Sequence, residues 1–176
     1  MKKTFVILLT LLLITALFGC KAENDEDQGL GLPNPMHGST SDEILNELGI
    51  TFHIPDNAGD TKYYIIDSQD GPRTAQAEFT LDDIKYIYRI RPSAEFEDIS
   101  GAYYDWDNVK EAEISYCSGE VRYNEGKEGI CLWYDVVPGL MYSLFTDKGA
   151  SEDTLITAAD TLYAPAQDAP QLNDHP

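Results

Sequence analysis

Basic residues are scarce in this chain: 12 Lys plus Arg stand against 31 Asp plus Glu in 176 residues, a formal net charge of -19 and a pI near 4.2. Affinity for a phosphate backbone comes mainly from lysines and arginines that displace counterions. DNA, RNA and anionic lipid faces are therefore poor partners, and no nucleic acid is expected. Histidine is rarer still, with His37, His53 and His175 the whole supply. A serine or cysteine nucleophile needs a positioned base, and only His53 falls inside a segment that reads as folded. Three cysteines exclude a four-cysteine zinc site, and a mixed site would have to borrow His37 or His175 from the chain ends. No Gly-x-Ser-x-Gly turn and no Gly-x-Gly-x-x-Gly loop occurs, and Gly126-Lys127-Glu128-Gly129 lacks phosphate-loop spacing. No cofactor and no metal is expected.

Long apolar runs are also missing, with one exception. Lys2 and Lys3 precede a stretch from Phe5 to Phe18 broken only by Thr10 and Thr15. At about fourteen residues it falls short of the roughly twenty that a helix needs to cross the hydrocarbon core. A basic start, an apolar middle, a small residue and a cysteine make an export signal, residues 1–19. Leu17-Phe18-Gly19-Cys20 resembles the lipobox of bacterial lipoproteins, which implies a diacylglycerol on the Cys20 thiol and cleavage before it. The expected location is the extracytoplasmic face of the cell membrane, with the lipid on Cys20 as the membrane contact. Residues 20–38 then read as a tether: Glu23, Asp25, Glu26 and Asp27 repel one another, and the glycines and prolines that follow cannot offset their ordering entropy by burial.

The remainder carries the apolar share that a core needs. Thr40 with Glu43 three positions later is a capping box for a short helix over Ser41–Leu48, stopped by Gly49. Strands are expected over 63–67, 75–81, 84–91, 112–117, 120–123, 130–137 and 140–146. In the third of these, Ile84, Tyr86, Tyr88 and Ile90 alternate with Lys85, Ile87, Arg89 and Arg91, which gives one core face and one basic, wet face. The stretch 130–137 is apolar on both parities except at Asp135, as a central strand covered on both sides would be. Ser151 caps a second helix whose stripe is Leu155, Ala158, Ala159 and Leu162. Strands without regularly interposed helices point to an α+β fold, a mainly antiparallel sheet of about six or seven strands with one short N-terminal and one C-terminal helix. The domain is placed at 39–164 and a frayed tail at 165–176.

Few residues suggest chemistry. Cys117 and Cys131 invite a disulfide because an exported chain meets an oxidising compartment. The expected pairing sets them about six residues out of register, roughly 20 Å, against the about 7 Å limit between bridged Cα atoms. A bridge and two buried thiols both stay open, with the geometry on the side of the thiols. Asp105-Trp106-Asp107-Asn108 starts like a calcium loop, but Lys110 and Tyr116 stand where glycine and glutamate belong. The one mild excess is aromatic. Tyr103, Tyr104 and Trp106 cluster beside Gly101 among carboxylates, a composition suited to contact with a glycan or an envelope protein.

Asn34-Pro35-Met36, Ile54-Pro55, Tyr64-Ile65-Ile66 and above all Asp98-Ile99-Ser100-Gly101 with Tyr103 carry a resemblance, over about residues 34–146, to small lipoproteins of Gram-positive, mainly gut-dwelling bacteria. The resemblance implies a lipid-anchored exported domain and transfers neither an activity nor a functional residue. The expected role is a binding or interaction module at the cell envelope rather than an enzyme. The alternative is a carboxylate-dependent hydrolase of an envelope or dietary polymer.

Overall fold

A computed structural model describes residues 35–163. The export signal, Cys20, the tether up to residue 34 and the tail from residue 164 lie outside the described residues. Eight strands form one sheet in which every pairing is antiparallel: β1 (Met36–Ser39), β2 (Gly59–Ile66), β3 (Thr74–Leu81), β4 (Ile84–Pro92), β5 (Asn108–Ile114), β6 (Cys117–Tyr123), β7 (Gly129–Asp135) and β8 (Leu140–Thr146). Two helices, α1 (Ser41–Leu48) and α2 (Glu152–Leu162), complete an α+β architecture. The strand order is β1-β2-β3-β4-β8-β7-β6-β5, so two four-stranded meanders meet at β4 and β8. The chain must therefore pass from the middle of the sheet to its far edge between β4 and β5, and residues 93–107 make that passage.

Eight strands exceed the six or seven expected, and the extra one is β1. Met36–Ser39 pairs with Tyr63–Ile66, so the tether placed at 20–38 overlaps a strand too short and too polar to show a period. The strand expected over 112–117 also divides differently. Its chain turns at Ser115-Tyr116, between β5 and β6, with Ser115 at φ 56° and its amide donating to Asp160 Oδ1 at 2.7 Å. The carboxylate from α2 compensates a left-handed residue that is not glycine. Asp82 and Asp83, both at positive φ, close the β3–β4 hairpin as a type I′ turn. Their adjacency is turn chemistry.

Both helix starts follow their sequence signals. Thr40 Oγ1 accepts from the Glu43 amide while Glu43 Oε2 accepts from the Thr40 amide, and Gly49 ends α1 at φ 68°. Ser151 and Thr154 make the equivalent box on α2. Registered positions define the face that the helices cover: Tyr63, Ala77, Tyr88, Leu144, Cys131 and Val121 lie in one row across the sheet, and Ile65, Ala75, Ile90, Tyr142 and Trp133 in the next. Trp133 is fully buried, stacked on Tyr142 at 5.1 Å and on Tyr88 at 5.8 Å, with the Tyr163 ring edge-on to it. Ile44, Leu155 and Ala159 close this core from above.

Beside it lies a buried polar group. The Tyr163 hydroxyl donates to Asp135 Oδ2 and accepts from Cys117 Sγ at 3.3 Å, with the Tyr116 hydroxyl 3.2 Å away. Burial raises the Tyr163 pKa far above its usual range, and the contact with Asp135 adds to it. Cys117 and Cys131 are both free and buried. Cys131 pairs with Val121, four residues along β6 from Cys117, which is about 13 Å at 3.3 Å per residue and outside disulfide reach. The bridge that the sequence leaves open is replaced by two thiols whose pKa values burial raises.

Candidate functional site

The second face of the sheet is where sequence periodicity misleads. Lys85, Arg89 and Arg91 do project to it, but the face is not simply wet. Ile99, Ala102 and Trp106 of the 93–107 strap pack on Ile130, Leu132, Tyr134, Met141 and Phe145 from β7 and β8. This is why 130–137 is apolar on both parities. Each basic side chain of β4 already has partners. Lys85 pairs with Glu78 at 3.0 Å and Arg91 with Glu97 at 2.6 Å. Arg89 Nε donates to Gln76 Oε1 at 2.7 Å, and its Nη1 donates to the carbonyls of Ile99 at 3.1 Å and Ser100 at 2.7 Å. Burial lowers the Arg89 pKa, and Asp98 and Glu78 act against that shift.

The strap is clasped residue by residue. Asp98 Oδ1 accepts from the Ser100 amide at 2.9 Å and from its hydroxyl at 2.6 Å, and Asp98 Oδ2 accepts from Arg122 Nη1 at 2.7 Å. Ser100 Oγ in turn accepts from the Ala102 amide at 3.1 Å. Gly101 has φ 65°, and a Cβ built there would lie 2.6 Å from Arg89 Nη1, so a side chain at this position strains the backbone and displaces the guanidinium. Ile99 meanwhile inserts into the apolar cluster below. At the strap's far end, Asn124 Oδ1 accepts from the Asp107 amide at 2.8 Å and its Nδ2 donates to the Asp105 carbonyl at 3.1 Å. The four residues Asp98-Ile99-Ser100-Gly101 are thus one structural fastener.

What the fastener holds up is a cleft of about 290 Å³ lined by Asp98, Gly101, Ala102, Tyr103, Tyr104, Trp106 and Arg122. All three members of the aromatic cluster, Tyr103, Tyr104 and Trp106, line it. They are not equivalent. Trp106 is half-buried and Tyr104 stacks on Phe145 at 6.0 Å while leaning on Trp106 at 5.3 Å, so these two fill the strap's underside and present their outer surface. Tyr103 is 95% exposed. Arg122 joins the cleft without any mark in the sequence, where it is one arginine in a short strand. Its Nη1 holds Asp98 and its Nε holds Glu120, and the guanidinium has further N–H groups that these two bonds do not use.

A wider, shallower hollow of about 500 Å³ lies at the β1 edge between Gly38–Ser41 and Thr61–Tyr64. The capping box there engages the Thr40 and Glu43 amides. His53 is exposed in the loop after α1, and His37 lies 3.7 Å from Asp67. Among the described residues, no group of three or more His, Cys, Asp or Glu is placed to hold a metal ion, and no helix is long and apolar enough to cross a membrane. No family model, no curated protein and no solved structure matches the chain.

Proposed function

We propose that this chain is a lipid-anchored module on the extracytoplasmic face of the cell membrane, attached through Cys20, which binds an envelope component through the aromatic cleft on its strap. Membership of the lipoprotein group that the sequence resembles belongs to the same proposal. The observation that carries it is Tyr103: a large aromatic ring held 95% exposed beside a cleft, on a loop fixed by two arginines and an asparagine. Water-facing aromatic surface on an ordered loop adds nothing to folding and is suited to contact. Asp98, the carboxylate in the lining, engages Ser100 with one oxygen and Arg122 with the other and so positions the strap instead of facing a substrate. That disfavours the hydrolase alternative, which needs two carboxyl groups facing each other across the cleft.

Two measurements test the proposal. Intact mass of the chain extracted from membranes should show a diacylglyceryl group on Cys20, and Cys20→Ala should release the protein from the membrane fraction. Full-length chain in detergent should retain purified envelope fractions, and Tyr103→Ala should lose most of that retention. An unacylated chain in the cytosol, or retention indifferent to Tyr103, would sink it.

A further inference from the structure

Resting on that proposal, we infer that the cleft takes an uncharged saccharide, about one or two rings of a longer chain, with Tyr103 as the stacking platform and Arg122 and Asp98 as the hydroxyl-reading pair. Size is the first argument. A volume of about 290 Å³ lies at the lower edge of the roughly 300–1,000 Å³ range of small-molecule sites, too small to receive a folded partner's element. Shape is the second. Two tyrosines and a tryptophan give flat apolar surface with polar tips, the form that the C–H face of a pyranose ring covers while its hydroxyls stay wet.

Charge is the third argument, and it selects among saccharides. Arg122 is neutralised on both sides, by Asp98 at 2.7 Å and Glu120 at 2.5 Å, so it carries little attraction for a uronate or phosphate. Asp105 and Asp107 stand exposed on either side of Trp106, within a chain of net charge -19. An anionic polymer would meet repulsion with no unpaired cation in the cleft lining to offset it. A cationic ligand finds one carboxylate in the lining, Asp98, whose two oxygens already hold Ser100 and Arg122. A neutral hydroxyl avoids both conflicts. It can accept from a free Arg122 N–H, donate to the open lone pair on Asp98, or bond the tyrosine hydroxyls, and it leaves the clasp charges balanced.

The test uses full-length chain in detergent, read by intrinsic tryptophan fluorescence and by calorimetry. Its probes are cellotriose, the N-acetylglucosamine trimer and maltotriose, with two charged counterparts: the C6-oxidised glucuronate form of cellotriose and the fully deacetylated glucosamine trimer. At least one neutral trimer should bind with Kd below about 1 mM, with little change between 50 and 500 mM salt. Both charged probes should bind at least tenfold more weakly than that trimer, Tyr103→Ala should weaken the neutral trimer at least tenfold, and Val137→Ala, on a distant exposed turn, should leave it unchanged. Binding of a charged probe or of an envelope protein in a Tyr103-dependent way, with no neutral trimer bound, overturns the saccharide inference and leaves the binding module standing. Binding of a neutral trimer that ignores Tyr103→Ala overturns the assigned platform. No probe bound, together with envelope retention indifferent to Tyr103, defeats both.

Discussion

On one face of the sheet, two helices bury Ile44, Leu155 and Ala159 against a continuous aromatic layer; on the other, residues 93–107 cover β7 and β8 without regular structure, while β3 and β4 carry ion pairs. The first face is held by area removed from water, a non-directional force that tolerates no cavity and asks for no particular partner atom. The second is held by a small apolar plug and by charge-assisted hydrogen bonds from Arg89 and Arg122, which fix positions more than they add stability. A face built this way can expose a ring in a set orientation, and Tyr103 is that ring. The cleft lies on the face whose cover is a clasped loop.

Breaking the helix-side face should produce the largest effect. Trp133 touches Tyr88, Tyr142 and Tyr163, and no backbone shift can refill its space from a sheet on one side and a helix on the other. Trp133→Ala should cost about 3–5 kcal/mol in urea unfolding. Ligand binding at the strap should then be lost only in proportion to the unfolded fraction. Next in size is an alkaline effect confined to the same face. Burial raises the pKa values of Tyr88, Tyr142, Tyr163, Cys117 and Cys131, so the folded state holds protons that the unfolded state releases. Stability should be constant at neutral pH and fall as pH climbs through the ordinary thiol and phenol range, above about 9, by up to about 1.4 kcal/mol per pH unit for each such group. Thermal melts from pH 7 to 10.5 measure the slope, and Tyr163→Phe should flatten it; a slope unchanged in that variant would refute the assignment.

The unequal legibility of the two faces has the same origin. Strand alternation and helix stripes record burial, so Tyr86, Tyr88 and Ile90, the capping box at Thr40, the cap at Ser151, and the doubly covered β7 are all legible in the order of the residues alone. The strap has no period. Its order comes from Arg89 reaching two carbonyls about ten residues away and from Arg122 and Asn124 gripping it across the sheet, pairings with long sequence separation and no local mark. Arg89 even reads as wet, because alternation reports which way a side chain points and not what crosses above it. β1 escapes for a different reason: Met36-His37-Gly38-Ser39 is four residues, one of them glycine, on an edge. The aromatic cluster is visible as composition, but which of its members stays free depends on Phe145, a partner some forty residues on.

Loosening the clasp should cost less than opening the core and should change the strap selectively. Gly101→Ala introduces a methyl group at positive φ and within 2.6 Å of Arg89 Nη1, so the guanidinium must leave the Ile99 and Ser100 carbonyls. The expected loss is about 1–3 kcal/mol. Hydrogen exchange should rise over 96–106 while α2 and β7 keep their protection. Equal deprotection of both faces would show that the strap and the helix-side core open as one unit, which removes the distinction drawn between them.

The smallest effect on stability should fall on the residue with the largest effect on binding. Tyr103 lies almost wholly in water, so Tyr103→Ala should move the unfolding free energy by less than about 0.5 kcal/mol in either direction. The same substitution should weaken ligand binding at least tenfold, about 1.4 kcal/mol. Tyr104→Ala sharpens the contrast, because that ring stacks on Phe145 and Trp106 and its loss should reduce stability and binding together. If Tyr103→Ala destabilised the protein as much as Tyr104→Ala, the ring would be a piece of the strap's packing. The strap would then be a lid on the sheet with nothing to present, and the exposed face of the cleft would have no claim to a ligand.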